Sequence, residues 1–295
     1  NQLGRSNNDL STALERLGSG FKINSAKDDA AGLQIASRLN AQVRGQEAAL
    51  YNSNNAMSMM QTAEGAFDEM TNIAYRMKEL ATQAANGTNG ADEGIALGSE
   101  YLALGDELAS IMQNTSFGGT LLLADTTTTT VTAATGANGV PGVRVNTAIA
   151  ADGKFADAAG VTFQVGSSTA ETLGVNVSAA LNTLHGLIGT ADGSQAGLGD
   201  ISTQAKATAA ATSGMVKTDA LIEAIGTARS ALGASMNRLD HTMNNVTNMK
   251  ENTQAAASTL MDADFAAETS NMTKQQLLMN SGISVLSTAN STTQM

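Results

Sequence analysis

A row of apolar residues that recurs in alternating steps of three and four places the strongest constraint on how this chain can fold. The row runs without a gap through Met60, Ala63, Phe67, Met70, Ala74, Met77 and Ala81. Such spacing puts these side chains on one side of an α-helix, where they form a seam against a partner helix. A similar row runs through Ile225, Ala228, Leu232, Met236, Leu239, Met243, Val246 and Met249. The two rows predict long helices that pair, with a helix seam that includes Met60, Phe67, Met70, Met77, Leu232 and Leu239.

Shorter rows with the same spacing lie near both ends of the chain. They comprise Leu3, Leu10, Leu14, Leu17 and Phe21, then Ile35, Leu39 and Val43, and at the far end Met272, Gln276, Met279, Ile283 and Leu286. Gly18 and Gly20 interrupt the first helix, because each glycine costs a helix about 1 kcal/mol relative to alanine. A second interruption, around residue 262, is expected to lie beside the first, since the order of the elements is mirrored about the middle of the chain. The helices at the two ends are therefore expected to pair.

Residues that favour caps and turns mark the ends of the longer helices. Asp28 or Asp29 can cap the helix that follows the first interruption. Asn86–Gly87 and Asn89–Gly90 are typical of a helix end and a turn. A third helix follows, with one face formed by Leu97, Tyr101, Leu104, Leu108 and Ile111.

The central part of the chain differs in composition from the rest. From TSFGG at residues 115–119 onward, β-branched residues, glycines and the only proline, Pro141, replace the apolar rows, which predicts a hairpin and loops. A strand-like segment, VTFQVG, and one helix, in SAALNTLHGLIG, are also predicted. The expected fold class is mainly α: a long antiparallel coiled coil or helical bundle from paired N- and C-terminal segments, with a small β-rich (α+β) central insert.

Charge and composition argue against several classes of partner. The formal net charge is −11 at pH 7, which opposes binding to nucleic acid or to anionic lipid. No window approaches the roughly 18 consecutive apolar residues of a membrane-spanning helix, so no membrane insertion is expected, and no ordinary signal segment opens the chain. The absence of cysteine excludes disulfides, thiolate nucleophiles and cysteine metal sites.

The polar residues show no arrangement typical of catalysis. His185 and His241 are the only histidines, and neither has a serine, cysteine or acidic partner at a motif spacing. Asp262 and Asp264 supply too few oxygens for a calcium loop and are more typical of a helix start. We therefore expect no catalytic residue, no cofactor, no metal site and no enzymatic activity.

Four segments resemble the sequences of bacterial flagellins, in the same order along the chain. They are LSTALERLGSGFKINSAKDDAAGLQIASRL, MQTAEGAFDEMTNIAYRMKELATQAANGTN, TSFGGTLLL and MDADFAAETSNMTKQQLLMNSGISVLSTAN. The resemblance spans residues 1–124 and 213–295, and FQVGSSTAETLGVNV is a weaker match. Because the chain begins and ends inside the terminal helices of that family, it resembles a flagellin trimmed at both termini and is expected not to polymerise by itself.

The resemblance implies a structural subunit of the bacterial flagellar filament that self-assembles through its terminal helices and serves motility. The implied partners are other flagellin subunits and the flagellar export and capping machinery. The implied location is extracellular, at the flagellum or cell surface. An alternative stays open, in which the chain is a flagellin-like surface adhesin or glycan-binding receptor that uses residues 125–212 for contact.

The same resemblance implies a division into a filament-core domain, a body and a variable domain. Residues 1–20 and 262–295 would be the two parts of the filament-core helical domain, and residues 21–32 a spoke linker. The two halves of the helical body would be residues 33–124 and 213–261, with the variable surface-exposed domain at 125–212. The interrupted stretch GSGFKINSAKDDAAG is thus expected to be the spoke.

One recognition site is implied by position, from flagellins that the animal Toll-like receptor 5 (TLR5) detects. The resemblance places Arg76 and Leu80, before the end of the first body helix, at the centre of the receptor contact together with Glu100 on the next helix. Tyr75 and Thr82 stand where that motif has glutamine and valine. The alternative is that these residues serve only contacts with neighbouring subunits.

Overall fold

The chain is built mainly from long α-helices, and the computed structural model describes residues 2–123, 132–133, 144–145, 153–188, 198, 201–208 and 214–294. The helices are α1 (Gln2–Ser19), α2 (Ala30–Ala84), α3 (Ala91–Asn114), α4 (Ser178–Ile188), α5 (Gln204–Thr208), α6 (Gly214–Met261) and α7 (Phe265–Gln294). The strands of the described part form antiparallel pairs: β1 (Ser116–Phe117) with β2 (Thr120–Leu121), β3 (Thr132–Ala133) with β4 (Arg144–Val145), and β5 (Val161–Gln164) with β6 (Thr172–Val175). The expected fold class is confirmed.

The residues fall into two compact units. The terminal unit comprises residues 1–48 and 245–295, and the body unit comprises residues 49–244. Helices α2 and α6 contribute residues to both units.

In the terminal unit, α1 and α7 pack against each other in antiparallel orientation. Leu3 lies against Gly282, where a Cβ atom would come within 2.7 Å of Leu3 Cδ2. Further along the pair, Arg16 Nη1 lies 3.7 Å from Glu268 Oε1. Because the residue numbers of the contacts decrease on α7 as they increase on α1, the helices run in opposite directions. The predicted pairing of the two ends of the chain is confirmed.

Several apolar residues that the spacing assigns to buried rows are exposed instead. In α1 the buried row includes Ala13 rather than Leu14, and in the first part of α2 it includes Ala36 rather than Ile35. Paired helices cover only the faces that they turn towards each other, so apolar side chains outside that narrow face remain in contact with solvent. The prediction was wrong for Leu14, Phe21, Ile35, Met249, Ile283 and Leu286.

Gly20 ends α1, and the chain then runs beside the start of α7. Its φ of 77° lies in the left-handed region that favours glycine, and its amide donates to a carbonyl in the last turn of α1 at 2.8 Å, which forms a C-cap. Phe21 and Asp262 form an antiparallel bridge. Lys22 N donates to Met261 O at 2.6 Å in the same place. The two interruptions therefore lie side by side, as the mirrored order of elements predicts.

Aspartate side chains organise the polar segment between α1 and α2. Asp28 Oδ2 accepts hydrogen bonds from the amides of Ser25 (3.0 Å) and Asn24 (3.2 Å), and these bonds lower the pKa of Asp28 from its ordinary value. Asp29 Oδ1 accepts from the amide of Gly32 at 2.9 Å. Asp29 is therefore the cap of α2, whereas Asp28 orders the turn before it.

The body unit is built on a seam between α2 and α6. The buried row of α2 continues the predicted one in both directions and consists of Ala49, Ser53, Ala56, Met60, Ala63, Phe67, Met70, Ala74, Met77, Ala81 and Ala84. Buried positions on α6 include Leu221, Ile225, Ala228, Leu232, Ser235 and Leu239. The residues named from the sequence as the seam are completely buried here: Met60, Phe67, Met70, Met77, Leu232 and Leu239.

Ion pairs beside the seam give the relative direction of α2 and α6. Glu64 on α2 pairs with Arg229 on α6 at 2.8 Å, and Lys78 on α2 pairs with Asp219 at 2.5 Å. The residue numbers of the paired residues decrease on α6 as they increase on α2, so α2 and α6 are antiparallel.

Helix α3 presents glycines at the centre of its buried face. Gly94, Gly98 and Gly105 are buried together with Tyr101 and Leu108. A Cβ atom at Gly94 would lie 2.4 Å from the carbonyl oxygen of Ser202, so glycine is what allows the segment at Ser202 to approach the helix backbone. The buried face is therefore rotated relative to the predicted one: Tyr101 and Leu108 remain at its centre, whereas three predicted positions are only partly buried at its edge, namely Leu97, Leu104 and Ile111.

The described part of the insert shares the hydrophobic core of the body unit. Phe155, Leu181 and Ile201 are buried in the same cluster as Met70 and Leu232. Thus the central residues that the structure describes complete the core formed by the long helices.

The local predictions for the insert can be placed individually. The predicted hairpin is β1–β2, which turns through Gly118 and Gly119 with φ values of 59° and 81°. The predicted strand in VTFQVG is β5, and the predicted helix in SAALNTLHGLIG is α4. The threonine run at 126–130, Pro141 and, apart from residue 198, the glycine-rich stretch 189–200 lie outside the described residues.

Met70→Ala and Leu232→Ala should each lower the free energy of unfolding by about 2–5 kcal/mol, because each leaves a cavity at a completely buried position of the seam. Met249→Ala, at an exposed position of α6, is the control and should change stability by no more than about 0.5 kcal/mol. Denaturant unfolding followed by circular dichroism measures all three. Losses as small as the control's at both seam positions would contradict the assignment.

Candidate functional site

A cluster of three charged side chains on the body unit joins α2 to α3. Arg76 Nε and Nη2 donate to Glu100 Oε1 at 3.0 and 2.8 Å, and Nη1 donates to Glu79 Oε2 at 2.5 Å. The hydrogen bonds to Glu100 are the largest cause of a raised pKa at Arg76, and the hydrogen bond to Glu79 is the second. The guanidinium therefore stays charged. All three residues are exposed. The cluster thus presents an oriented cation, flanked by two carboxylates, to solvent.

The structure brings together two of the three receptor-contact residues named from the sequence. Arg76 and Glu100 form the cluster, whereas Leu80, one helical turn beyond Arg76, is completely buried in the core of the body unit. Glu79, which the sequence did not single out, completes the cluster. Tyr75 is 58% exposed and adds aromatic surface next to Arg76 along the chain.

Ion pairs that flank the α2–α6 seam were missed by the sequence reasoning. Arg229 Nε donates to Glu64 Oε1 at 2.8 Å and its Nη1 lies 3.1 Å from Asp68 Oδ1. The hydrogen bond to Glu64 is the largest cause of a raised pKa at Arg229. A signal was available, since each charged residue directly follows a buried seam residue: Glu64 follows Ala63, Asp68 follows Phe67, Lys78 follows Met77, and Arg229 follows Ala228.

Tyr101 joins three parts of the body unit through its buried hydroxyl group. The hydroxyl oxygen lies 2.8 Å from Leu198 O and 2.9 Å from Thr218 Oγ1. Thr218 Oγ1 in turn donates to the Gly214 carbonyl at 2.6 Å. Burial raises the pKa of Tyr101 to about 12, so the phenol is neutral at pH 7. Because the partners of Tyr101 are remote in sequence, the apolar row predicted its burial but not this network.

Helix α7 of the terminal unit carries an exposed band of apolar side chains. The members of this band are Leu277, Leu278, Ile283, Val285 and Leu286. Leu277 and Leu278 also line a shallow groove with Thr269, Ser270, Thr273, Lys274 and Ser281. Exposed apolar side chains on a helix can serve as contacts with a partner, because their burial there is favourable.

The structure shows where the histidines and the aspartate considered in the sequence analysis lie. Burial lowers the pKa of His185, so its ring is neutral at pH 7, whereas His241 is exposed on α6. Asp264 Oδ1 accepts hydrogen bonds from the amides of Ala266 (2.9 Å) and Ala267 (3.2 Å), which confirms its role at a helix start. Among the described residues, no group of three or more metal-binding side chains was found.

None of the helices in the described ranges combines the length and the apolar character needed to cross a membrane.

Comparison with known proteins covers nearly the whole chain. Residues 1–128 match the bacterial flagellin N-terminal helical region, and residues 215–295 match the bacterial flagellin C-terminal helical region. Flagellin D of Vibrio anguillarum is 35% identical, over 97% of this chain and 92% of its own length. Flagellin D of Vibrio cholerae is 35% identical, over 94% of this chain and 90% of its own length. The crystal structure of Bacillus cereus flagellin, 28% identical, covers 70% of this chain and 94% of that chain with a TM-score of 0.45.

Tyr101→Phe should lower the free energy of unfolding by about 1–3 kcal/mol at neutral pH, because the buried Leu198 carbonyl loses its donor. The pKa of Tyr101 is about 12 in the folded protein against 10.0 for a free side chain, so its stabilising effect is complete below pH 10.0 and declines as the pH rises towards 12. The variant should lack this part of the alkaline decline.

Denaturant unfolding across the alkaline range measures the effect. Tyr51→Phe, at a position 68% exposed, is the matched control and should keep the decline. Identical alkaline profiles for Tyr101→Phe and the control would rule out the assigned role.

Proposed function

This chain belongs to the bacterial flagellin family, and we propose that it builds the flagellar filament through contacts of helices α1 and α7. As a flagellin it is a structural subunit that polymerises with other flagellin subunits, in a filament exterior to the cell. Nothing in the comparisons favours the adhesin or glycan-receptor alternative. Membership of a structural protein family also supports the proposal that the chain has no catalytic role.

The exposed band on α7 carries this proposal. A fully buried leucine, isoleucine or valine side chain contributes about 1.5–3 kcal/mol relative to an exposed one. Ile283 and Leu286 are 56% and 63% exposed, so much of this free energy is still available to a contact with another subunit. On α1, Leu14 is 49% exposed as well. Helices with free apolar faces can assemble side by side with copies of themselves.

The distribution of charge supports the same surface. The chain carries a net charge of −11, so subunits repel one another at a distance. However, the last charged residue is Lys274, and no charged side chain follows it in the remainder of α7. Copies of this part of α7 can therefore approach without a local like-charge penalty, and added salt screens the repulsion from the rest of the chain.

Because the chain is not expected to polymerise by itself, the test supplies filament seeds, and Ile283→Asp should strongly reduce the fraction that joins them, since burial of a carboxylate at a subunit contact is unfavourable. Ile283→Val, which keeps an apolar side chain at the same position, is the matched control and should assemble nearly as the parent does. Sedimentation and electron microscopy with filament seeds measure assembly, and circular dichroism checks that the helix content is unchanged. If the parent joins the seeds and the Asp variant joins them equally, the assignment of Ile283 to a contact is disproved, and a parent that does not join them disproves the proposed role of α7.

We also propose the flagellar export and capping machinery as partners. A filament exterior to the cell requires that each subunit leave the cell before it is incorporated. The lack of cysteine fits this route, because no disulfide can form and lock the chain before export.

The cluster of Arg76, Glu79 and Glu100 is our proposal for the surface that TLR5 recognises. Its support is that Arg76 and Glu100 are exposed and hydrogen-bonded to each other across α2 and α3. Arginine is favoured at such contacts because its planar guanidinium can bind several acceptors at once. Leu80 is completely buried, so we assign it to supporting the helix that carries Arg76.

Arg76→Ala and Glu100→Ala should weaken TLR5 signalling without altering the helix content. The matched controls are Arg238→Ala and Glu107→Ala, which remove the same charges from exposed positions on α6 and α3. A receptor reporter assay with purified protein measures signalling, and denaturant unfolding measures stability. Unaltered signalling by both cluster variants, or none from the parent protein, would reject the surface.

A further inference from the structure

Two Asn–Gly dipeptides, Asn86–Gly87 and Asn89–Gly90, lie in the turn between α2 and α3. In such a dipeptide the glycine amide nitrogen can attack the side-chain carbonyl carbon of the asparagine, because glycine has no Cβ to hinder the approach. The sequence alone makes the two asparagines equal candidates for this reaction. A third dipeptide, Asn138–Gly139, lies outside the described residues.

The structure distinguishes the two asparagines of the turn. Asn89 is partly buried, and its side-chain Nδ2 donates to the Gln83 carbonyl at 2.7 Å, which holds the leaving amide in place. Asn86 is exposed, and no residue in the described ranges accepts a hydrogen bond from its Nδ2. The amide of Gly87 also has no acceptor there, so the attacking nitrogen is available.

A hydrogen bond from the next residue favours reaction at Asn86. Asn86 Oδ1 accepts from the Thr88 amide at 3.3 Å. Negative charge develops on this oxygen when a nitrogen attacks the carbon to which it is bonded. A donor already directed at the developing charge stabilises the tetrahedral state.

We propose that Asn86 is a site of spontaneous deamidation in the folded protein. The Gly87 nitrogen gives its proton to solvent and bonds to Asn86 Cγ, Nδ2 takes up a proton from solvent, and the Cγ–Nδ2 bond breaks, so that ammonia leaves as a succinimide ring closes. Water then opens the ring at either carbonyl carbon, which gives aspartate or isoaspartate at position 86. No oxidant, reductant or enzyme is required.

The products change both the charge and the geometry of the turn. A carboxylate at position 86 lies two residues beyond Ala84, the last residue of α2, where the helix dipole disfavours negative charge. Isoaspartate also adds one carbon to the main chain between α2 and α3. The converted protein should therefore lose hydrogen-exchange protection at the end of α2.

The test is to incubate the intact protein in mildly alkaline buffer and to follow both asparagines by peptide mass spectrometry, with chromatographic separation of aspartate and isoaspartate. Asn86 should convert several-fold faster than Asn89 in the folded protein. In denaturant the difference should disappear, because both side chains then have the same Asn–Gly chemistry.

Gly87→Ala supplies the matched control. The φ of Gly87 is not in the left-handed region, and an added Cβ would meet only the Gln204 side chain, at 3.5 Å, so the variant should fold. It should slow conversion at Asn86 several-fold and leave Asn89 unchanged. Equal rates in the folded protein, a faster rate at Asn89, or a folded Asn86 that stays intact while the denatured chain converts would overturn the proposal.

Discussion

The body unit depends on the apolar seam between α2 and α6. Aromatic residues make up only 3% of the chain, so the core is formed mostly by methionine, leucine and alanine. Alanine lets the helices approach closely, and the flexible methionine side chain fills the irregular gaps that remain. Met60, Met70 and Met77 alternate with Ala63, Ala74 and Ala81 along α2 in this way. The ion pairs of Arg229 and Lys78 beside the seam then favour one register, because a helix shifted by one turn would lose them.

A seam between two helices leaves two sides open, and α3, with the Leu198 side chain and the segment at Ser202, covers one of them. Glycines at the centre of the buried face of α3 let that segment pack onto the helix backbone. This close approach buries carbonyl groups that need hydrogen-bond partners, and Tyr101 supplies one at Leu198. An unpaired buried carbonyl would cost about 1–3 kcal/mol. The insert residues at this place are therefore coupled to the helices through a polar interaction as well as through apolar packing.

The sequence predicted the fold correctly where one apolar row packs against one partner helix. The steps of three and four from Met60 to Ala81 describe one face of one helix, so the pairing of helices followed directly. The same pattern misplaced Leu14, Ile283 and Leu286, because periodicity shows which face is apolar but not whether the molecule itself covers it. The sequence analysis placed Tyr101 on an apolar face and Arg76 in a recognition site, but it did not predict the hydrogen bonds that they form. Tyr101 and Thr218, for example, are 117 positions apart in the chain. Glycine packing on α3 was missed because glycine contributes nothing to an apolar row.

Charged residues border the apolar surface that the molecule buries, and they are missing beside the apolar surface that it leaves exposed for a partner. Next to the body seam, Glu64, Asp68 and Lys78 directly follow buried residues of α2 and pair with charges on α6. A foreign helix that entered this seam would leave those charges unpaired, which disfavours the wrong partner. Beyond Lys274, α7 has the opposite character, with exposed apolar side chains and no charged neighbours in sequence. There, no pattern of charge selects one internal partner, and a second copy of this part of α7 meets no local like-charge repulsion. The same type of apolar row is therefore either buried within the molecule or left exposed, depending on whether charged residues border it.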